Sequence, residues 1–544
     1  MAKKNPIDPL DGPKLVLGGR IVTMNAAFAV IPKGRIYIDQ GNIVAVADAA
    51  APAPAGFQGV RAVDTKGTIY PGLIELHNHL AYNALRLWDV PKKYTNRDQW
   101  AGIPDYRKLV SGPMQIVGKT PELLPALIRY VEAKCLIAGV TTSQGIQLFS
   151  NAGVRRYYKG IVRNVEQTDE VDLPEALTKI ADVEATDSKA FLARLKRTTC
   201  LLLHLSEGKD PAARKHFSAL EIGPGEWAIT PALAGIHCAA LEPEDFQVLG
   251  RFGGSMVWSP LSNLLLYGAT ADVKSAAAAG VRIGIGSDWS PSGSKNLLGE
   301  LKAAKVWCDK LGILSDRDIV AMATINAANI LGWSKSLGSL EPGKRADLVV
   351  IAGTSGDPYA TLIEAKETSV ALVAINGIPR YGTATLMGKF GDDMESLTLG
   401  GSKRKLFLQQ KTQDPLVGAT TLADAAARLT DALKNLPKLA LALETPKPAA
   451  ALARGAPALE WQLALDELHE TGCDLRHHLA LRGKAGPTGA GRVLAAAAAP
   501  LSGIVQPLVL DPLAVADDED FLDSLGKEKN LPPDVQTALV AMYG

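Results

Sequence analysis

Two histidines separated by one residue, His77 and His79, close the apolar run TIYPGLIEL. In a β-strand, residues i and i+2 point to the same face, so the two imidazoles should project together. Such a pair is a weak indication by itself, because two polar residues at the end of a strand are the ordinary alternative. The pair gains meaning only if further ionisable residues stand in equivalent places.

Three more ionisable residues do so. His204 lies next to the end of CLLLHL, His237 lies next to the end of ALAGIHC, and Asp288 follows RIGIGS directly. The chain has only 8 histidines, and chance rarely places four of them at such positions. Neutral imidazoles with one carboxylate are the ligands that a catalytic metal ion prefers, with one position left open for water. We therefore predict one divalent ion, Zn²⁺ first and Fe²⁺ as the alternative, bound by His77, His79, His204 and Asp288.

These residues must be positioned by the elements that precede them. Apolar strand-like runs alternate with helix-like segments, which is typical of βα units and a parallel sheet. Seven strand candidates are present: TIYPGLIEL, GVTTSQGI, GIVRNVE, CLLLHL, ALAGIHC, GGSMVWS and RIGIGS. The eighth strand of a closed barrel would fall within residues 171–185, where the pattern is poor. We predict an α/β fold, a (β/α)8 TIM-like barrel over residues 70–337, with the site at the C-terminal ends of the strands.

Short alternating strands with glycine turns precede this region, and similar ones recur downstream in RADLVVIAG and ETSVALVAINGIPRYG. We predict that they form one small composite β-sandwich domain from residues 1–69 and 338–394. Two unrelated small sheets are the alternative. Residues 85–120, rich in Trp, Tyr and Pro, indicate a lid or a substrate-binding insertion.

Amphipathic helix patterns follow, and residues 395–544 are predicted as a helical C-terminal extension. This extension carries no motif that indicates chemistry, so we expect it to serve packing or oligomer contacts. A truncation near residue 400 should then affect solubility or assembly before it affects chemistry.

The composition excludes several classes of partner. The 58 basic and 57 acidic residues give a net charge of +1, which offers no electrostatic footprint for nucleic acid or an anionic membrane. The long apolar run at residues 493–510 is interrupted by Pro500 and Pro507, so no membrane span is expected. The scattered cysteines, 5 in all, argue against a disulfide framework and indicate a reducing cytoplasm. A small-molecule substrate is the expected partner, and homo-oligomerisation is left open.

The segments PGLIELHNHL, GVTTSQG, HLSEG, SPLSNLLLYG and GIGSDWSP occur in this order along the chain. Together they resemble the motifs of the amidohydrolase superfamily, in the branch that contains guanine deaminase, cytosine deaminase and the triazine chlorohydrolases. ATINAANILG and GSLEPGKRADLVVI are similar to the closing helix of that barrel and the return into its β-domain. The resemblance spans about residues 15–390. It implies a TIM-like barrel and a metal-dependent hydrolase.

One departure from the family concerns the number of metal ions. Its binuclear members use a carboxylated lysine on the fourth strand. No lysine ends a predicted strand there, since Lys159 and Lys179 are poorly placed in the pattern. We therefore expect a mononuclear site.

The expected chemistry is the attack of a metal-activated water on an sp² carbon. Glu207, three residues after His204 and past the strand end, is the predicted general acid and base, although it could be a solvated loop residue. His237 would hydrogen-bond the reacting oxygen or be a fifth ligand. Asp288 could ligate the metal, accept a proton or do both. Seven residues near strand ends could line the pocket or simply pack: Tyr82, Asn83, Gln144, Arg163, Trp258, Asn263 and Trp289.

The leading prediction of function is cleavage of a C–N bond, of the deaminase type, in a small heterocyclic or amidine-like substrate. Hydrolysis of an amide, a cyclic amide or a carbon–halogen bond by the same site is the alternative. A metal-binding scaffold without turnover is a third hypothesis, which the complete set of ionisable residues disfavours. The substrate itself is set by loop geometry that a sequence does not show.

Overall fold

A computed structural model of the chain describes residues 14–168, 170–179, 187–410, 414–445, 459–465 and 499–544. It is an α/β structure with a TIM-barrel-like arrangement of parallel strands and one large mixed sheet. Within the described residues, no helix has the length and hydropathy needed to cross a membrane.

Each of the seven predicted runs contains a parallel strand, and the eighth strand lies in the interval expected for it. Five strands form one parallel sheet, in the order Leu177–Lys179, Leu201–Leu205, Leu233–His237, Ser255–Trp258 and Arg282–Ile285. Three form a second, in the order Leu73–Ile74, Val140–Ser143 and Arg163–Asn164. Backbone hydrogen bonds join the two at both junctions, from Ala176 N to Val165 O (2.8 Å) and from Leu76 N to Ile285 O (3.3 Å).

The alternation of side chains along these strands determines which residues face the interior. Leu202, Ile236 and Val257 pack together in one core cluster inside the parallel strands. Leu201 and Leu203 belong instead to the larger cluster outside them. Because the period of a strand is two, His204 follows Leu202 on the inner face. Apolar residues therefore fill the interior up to the strand ends, where the polar residues begin.

Helices connect and cover the parallel strands. They are Pro104–Tyr106, which runs on through the π-helical turn Arg107–Ser111 into Gly112–Lys119, then Leu124–Ile137, Ser188–Leu195, Pro211–Ser218, Pro243–Arg251, Pro260–Tyr267, Val273–Ala278, Leu297–Leu311, Asp316–Met322 and Ile325–Leu331. Glu221–Gly223 and Glu226–Trp227 form a small hairpin. Gln147–Ser150 and Arg155–Tyr157 form another beside the second parallel strand.

The two outer strand clusters form one mixed sheet of nine strands, so they are not two unrelated sheets. Its order is Glu395–Leu399, Ser402–Leu406, Ile378–Thr383, Val370–Ile375, Leu348–Ala352, Val63–Pro71, Leu15–Val22, Val30–Asp39 and Asn42–Asp48. Two short helices, Pro358–Ile363 and Ala384–Met387, lie between its later strands. The junction of the two clusters is the antiparallel pairing of Val63–Pro71 with Leu348–Ala352.

The expected start of the helical extension needs a correction. Glu395–Leu399 and Ser402–Leu406 form a hairpin at the edge of the large sheet, where we predicted helix. Exposed and less exposed side chains alternate along Glu395–Leu399, and Gly400 and Gly401 supply positive φ values of 51° and 72° at the turn. Alternation around a turn of two glycines favours a hairpin over a helix.

Beyond this hairpin the extension is mainly helical and packs onto the barrel-like core. Its helices are Leu422–Lys434, Leu436–Glu444, Phe521–Lys527 and Pro533–Tyr543. Leu422–Lys434 packs on Leu124–Ile137, and Pro533–Tyr543 packs on Leu297–Leu311. A strand, Trp461–Leu463, pairs antiparallel with Gln147–Ser150.

Candidate active site

The four predicted metal ligands meet at the C-terminal ends of the parallel strands. Asp288 Oδ1 lies 3.0 Å from His77 Nε2 and 3.5 Å from His79 Nε2. The ring centroid of His204 lies 4.7 Å from that of His77 and 5.4 Å from that of His79. His77, His79 and Asp288 each offer a ligand atom within 4.8 Å of the others, and so do His77, His204 and His237. One ion could be shared by these side chains.

The surroundings of His77 fit a metal ion. Both of its ring nitrogens are buried, and neither has a hydrogen-bond partner in the described part of the chain. The 3.0 Å separation of Nε2 from Asp288 Oδ1 is thus a close approach without hydrogen-bond geometry. Two atoms bound to one tetrahedral Zn²⁺ at about 2.1 Å would lie about 3.4 Å apart, close to the observed separations. Burial also lowers the pKa of His77 and of His204, which favours the neutral imidazole that binds metal.

Hydrogen bonds tie the strand end of His77 to the loop of Asp288. The buried Glu75 accepts from the backbone N–H of Ser287 at 3.1 Å and from Asn78 Nδ2 at 2.9 Å. The backbone N–H of Asp288 donates to His77 O at 3.0 Å. Burial raises the pKa of Glu75, and the donated hydrogen bonds oppose that rise. The first and last parallel strands are therefore joined by hydrogen bonds at their C-terminal ends, next to His77 and Asp288.

Two site residues have unusual backbone conformations. The φ angles of His237 and Asp288 are 68° and 65°, in the left-handed region that strains any residue except glycine. Ile236 packs in the interior, so a regular strand would turn the next side chain outward. The left-handed backbone instead turns His237 toward His77, and their ring centroids lie 5.0 Å apart.

Glu207 lies beside these residues and is buried, so it is not a solvated loop residue. Tyr267 Oη donates to its Oε1 at 2.7 Å. Its Oε2 lies 3.8 Å from His237 Nε2 and 3.9 Å from the guanidinium of Arg97. Burial raises the pKa of Glu207, and the positive charge of Arg97 opposes the rise. The clusters of possible ligand atoms among the described residues do not include this carboxylate.

A chain of hydrogen bonds orients His237. Trp258 Nε1, which can only donate, lies 2.7 Å from Thr270 Oγ1. The Thr270 hydroxyl in turn donates to Asn263 Oδ1 at 3.2 Å, which leaves Asn263 Nδ2 facing His237 Nδ1 at 3.0 Å. Because an amide nitrogen donates, His237 Nδ1 is the acceptor. Burial lowers the pKa of His237 to about 4, so the neutral ring carries its proton on Nε2.

A cavity of about 400 Å³ opens at this point. Three aromatic rings form one wall, with the Trp289 centroid 6.1 Å from that of Trp100 and 6.0 Å from that of Tyr106. We call this cavity the main cleft. It is lined by His79, Arg97, Trp100, Ala101, Gly102, Tyr106, His204, Glu207, His237, Asp288 and Trp289.

A narrower cavity of about 70 Å³ also reaches His79 and His204. Glu166 and Gln144 line it, and so do Leu463 and Ala464 of the C-terminal extension.

Four of the seven predicted pocket residues lie at the site. Trp289 lines the main cleft, and Tyr82 and Gln144 line the narrow cavity. Asn263 holds His237.

The other three line neither cavity. Trp258 is fully buried and donates to Thr270. The Asn83 side chain donates to Asn78 Oδ1 and accepts from the backbone N–H of Ser290, so it joins the two segments that carry the ligands. Arg163 forms a buried ion pair with Asp347 and donates to Asn376 Oδ1 at 3.0 Å. Both partners adjoin strands of the large sheet, so the Arg163 side chain points toward that sheet and not into either cavity.

Sequence reasoning missed several residues of the site. Arg97, Trp100 and Tyr106 come from the predicted insertion, whose aromatic content was the available signal. Ser262 and Tyr267 belong to the helix Pro260–Tyr267. Ser262 Oγ donates to Asp288 Oδ2 at 2.6 Å, and Tyr267 Oη donates to Glu207 Oε1. Both donors lie in the segment SPLSNLLLYG, whose resemblance to the family indicates the region but gives neither side chain a role.

The fourth parallel strand bears on the argument that no lysine is placed to bridge two metal ions. It ends at Lys179, so the expectation that no lysine ends this strand was wrong. The weak apolar pattern hid a strand of three residues. In the register with the fifth strand, Thr178 pairs with the inward residue Leu202, and Thr178 lines the narrow cavity.

Known proteins are similar in sequence to about two thirds of this chain. A 5-methylthioadenosine/S-adenosylhomocysteine deaminase of Symbiobacterium thermophilum is 25% identical over 411 residues, which cover 67% of this chain and 90% of the relative. The protein of the same name from Moorella thermoacetica is 26% identical over 398 residues, covering 64% of this chain and 90% of its own.

Solved structures share the fold. A zinc-bound adenosine deaminase of Xanthomonas campestris superposes with a TM-score of 0.52 at 17% identity, over 78% of this chain and 98% of its own. An atrazine chlorohydrolase of Arthrobacter aurescens with zinc has a TM-score of 0.54 at 17% identity, over 77% and 99%. Guanine deaminase of E. coli has a TM-score of 0.51 at 17% identity, over 68% and 99%.

The sequence model of the amidohydrolase family matches residues 68–379, more than half of the chain. The match contains all the ionisable residues gathered at the strand ends. This protein therefore belongs to the amidohydrolase family.

Proposed function

We propose that this protein is a zinc-dependent deaminase that removes an amino group from a purine-like heterocycle and releases ammonia. The observation that carries the proposal is that His77, His79 and Asp288 form one group of possible ligand atoms and that His204 joins His77 in a second. His79, His204 and Asp288 line the main cleft together with Glu207. The three histidines and Asp288 would hold one Zn²⁺. When bound, the ion lowers the pKa of a water molecule. Near neutral pH that water can then lose a proton and attack an sp² carbon.

Glu207 would move the protons of the reaction. Its carboxylate lies at the cleft, is held by Tyr267 at 2.7 Å, and remains outside the ligand clusters found among the described residues. A buried carboxylate with a raised pKa can take a proton from water and return it to a ring nitrogen or to the leaving amine.

His237 would act as a hydrogen-bond donor and not as a fifth ligand. The chain of donors from Trp258 to His237 Nδ1 leaves the proton on Nε2, on the side of Glu207. A protonated Nε2 cannot bind a metal ion, but it can donate to the oxygen on which negative charge develops.

The main cleft suits a flat, neutral, aromatic substrate. Trp100, Tyr106 and Trp289 offer ring faces and edges, and the charged residues of the lining, Arg97, Glu207 and Asp288, include both signs. Aromatic pairs in offset or edge-on arrangements contribute about 0.5–1.5 kcal/mol beyond the burial of area. The sequence relatives named as deaminases of 5-methylthioadenosine and S-adenosylhomocysteine support a purine ring in this place.

Hydrolysis of a carbon–halogen bond by the same site is the second candidate, supported by the fold shared with the atrazine chlorohydrolase. Both reactions use an activated water on a flat heterocycle, so the residues that would hold the metal do not distinguish them. The leaving group does, because deamination yields ammonia and dehalogenation yields halide.

The experiment combines metal content with an assay of the leaving group. Purified protein should contain about one Zn²⁺ per chain and lose activity when the metal is chelated. It should release ammonia from 5-methylthioadenosine, S-adenosylhomocysteine or adenosine, with guanine and atrazine as comparison substrates. Chloride release from atrazine without ammonia from the purines would contradict the deaminase assignment. Two equivalents of zinc would contradict the mononuclear site.

We also propose that the eight parallel strands close into a (β/α)8 barrel over residues 70–337. The composite β-domain then comprises residues 1–69 and 338–406, because the hairpin of Glu395–Leu399 and Ser402–Leu406 belongs to its sheet. The backbone hydrogen bonds at both junctions between the two parallel sheets support closure. The parallel bridge between Asn78 and Asp288 supports it at the strand ends.

A further inference from the structure

A buried cluster of four charges joins the C-terminal extension to the barrel-like core. Asp511 accepts hydrogen bonds from Lys134 Nζ and from Lys295 Nζ, each at 2.5 Å. Lys295 Nζ also donates to Asp518 Oδ2 at 2.7 Å. All four side chains are at most 3% exposed. Two positive and two negative charges balance, which a buried group of this kind requires.

The cluster reaches the loops that carry the metal ligands. Lys134 Nζ, held by Asp511, donates to Asn83 O at 2.7 Å. Asn83 Oδ1 accepts from the backbone N–H of Ser290 at 2.8 Å, and Asn83 Nδ2 donates to Asn78 Oδ1 at 2.9 Å. Asn78 stands between His77 and His79, and Ser290 is two residues after Asp288. One lysine and one asparagine therefore connect Asp511 to both ligand segments.

The backbone at Asp511 is held separately from its carboxylate. Its N–H donates to Ala84 O at 3.0 Å, and its carbonyl accepts from Tyr130 Oη at 2.6 Å. The extension would remain attached here without the carboxylate charge. That charge is needed for Lys134, whose pKa is lowered by burial and raised by Asp511. Without the carboxylate, the Lys134 ammonium would be an underpaired buried charge, and a Lys134 that lost its proton would donate to Asn83 O more weakly.

We propose that Asp511 is a positioning residue of the metal site, acting through Lys134 and Asn83 on the segments of His77, His79 and Asp288. This inference rests on the proposed metal site. Asp511 lies outside residues 68–379, the part of the chain that matches the amidohydrolase family. The C-terminal extension thus helps to position the metal ligands, although it supplies no ligand in the described structure.

The test is Asp511→Asn in the full-length protein. It keeps the shape of the side chain and removes the charge. The zinc dissociation constant is measured by competition with a chelator, and kcat is measured at saturating zinc. Loss of a group that supports metal ligands weakens metal binding or activity about ten- to a hundredfold, so we expect a rise in the dissociation constant of that order. Asp511→Glu, which keeps the charge, should recover most of the affinity.

Asp520→Asn is the matched control. Asp520 belongs to the same extension and pairs with Arg86 at 2.6 Å, but its side chain is 74% exposed. It should bind zinc like the wild type. Thermal unfolding of each zinc-free variant separates loss of metal affinity from loss of fold.

A second variant covers the case in which Asp511→Asn does not fold. Asp511→Asn with Lys295→Met removes one charge of each sign and still leaves Lys134 without its carboxylate, so zinc affinity should again fall. A folded Asp511→Asn, or a folded double variant, with wild-type zinc affinity would overturn the proposal. So would loss of folding in both, because Asp511 would then support the fold as a whole. If the wild type itself binds no zinc, the proposed function has failed.

Discussion

Glu207 and His204 are three residues apart in the chain, but their contacts differ. His204 lies within the group of imidazoles, whereas Glu207 is held at the edge of the cleft by Tyr267. Substituting each in turn should therefore separate proton transfer from metal binding.

Glu207→Gln keeps the size of the side chain and removes the base. Zinc content should stay near one per chain while kcat falls by about 10²–10⁴, the usual contribution of a general acid or base. His204→Ala should lose both zinc and activity, because it removes a ligand. Elemental analysis and steady-state kinetics measure both outcomes. Loss of zinc in Glu207→Gln would make Glu207 a ligand, and near-normal turnover would transfer the proton step to Asp288 or His237.

At the scale of elements, the last parallel strand can approach the first only because Gly286 has no side chain. A Cβ at this position would lie 2.5 Å from both N and O of His77. Backbone cannot retreat as a side-chain end can, so we expect Gly286→Ala to displace His77 and weaken zinc binding at least tenfold.

Gly284 is the matched control, two residues earlier and inside the strand Arg282–Ile285. A Cβ there would lie 2.5 Å from Leu76 Cδ1, the end of a flexible side chain. Gly284→Ala should keep far more of the zinc affinity than Gly286→Ala, as isothermal titration would show. Equal effects of the two would mean that the approach to the His77 backbone is unimportant.

The helix Leu297–Leu311 carries a buried carboxyl that should make stability depend on pH. Glu300 accepts from the backbone N–H of Leu261 at 3.0 Å, and burial raises its pKa to about 8. The folded state therefore keeps a proton that the unfolded state releases above about pH 4.5. Its contribution to the free energy of unfolding should fall by about 1.4 kcal/mol per pH unit from about pH 5 to 8.

Glu300→Gln mimics the protonated carboxyl and should remove this dependence. Urea unfolding at pH 6 and pH 8 should show the wild type losing about 2 kcal/mol more than the variant. Asp309→Asn, on the exposed side of the same helix, should behave like the wild type. Parallel losses in the wild type and in Glu300→Gln would place the pH dependence in other groups.

At the scale of the whole molecule, the C-terminal extension contacts the core deeply enough to change the expectation for truncation. Asn530 Nδ2 donates to Leu265 O at 2.8 Å, and the hydroxyl of the buried Tyr543 would lie 2.4 Å from a Cβ at Gly299. Lys134 and Lys295 would both lose carboxylate partners if the extension were removed.

Ending the chain at residue 498 should therefore weaken zinc binding and lower the unfolding temperature, and should not merely reduce solubility. Zinc titration, size-exclusion chromatography and thermal unfolding of the shortened chain measure these effects. A shortened protein that aggregates but binds zinc normally while folded would restore the simpler expectation from sequence, in which the extension serves assembly alone.

Much of the barrel-like core could be predicted because its signals are local. A period of two along CLLLHL and ALAGIHC marks strands, and parallel strands place their C-terminal ends at one edge. His77, His79, His204 and Asp288 could be grouped in this way without knowing any distance. The strand Leu177–Lys179 was expected in its interval but not located, because three residues are too few to show a period.

What the tertiary structure alone decided depends on contacts between distant parts of the chain. The proton position on His237 follows from Asn263 and Thr270, and the reach of Asp511 to Lys134 spans 377 residues of sequence. Whether Arg163 lines the pocket or packs was left open by the sequence, because its partner Asp347 is distant in the chain. Local periodicity determines which residues stand at strand ends. Long-range packing, which depends on the three-dimensional path of the whole chain, decides which side chains support them.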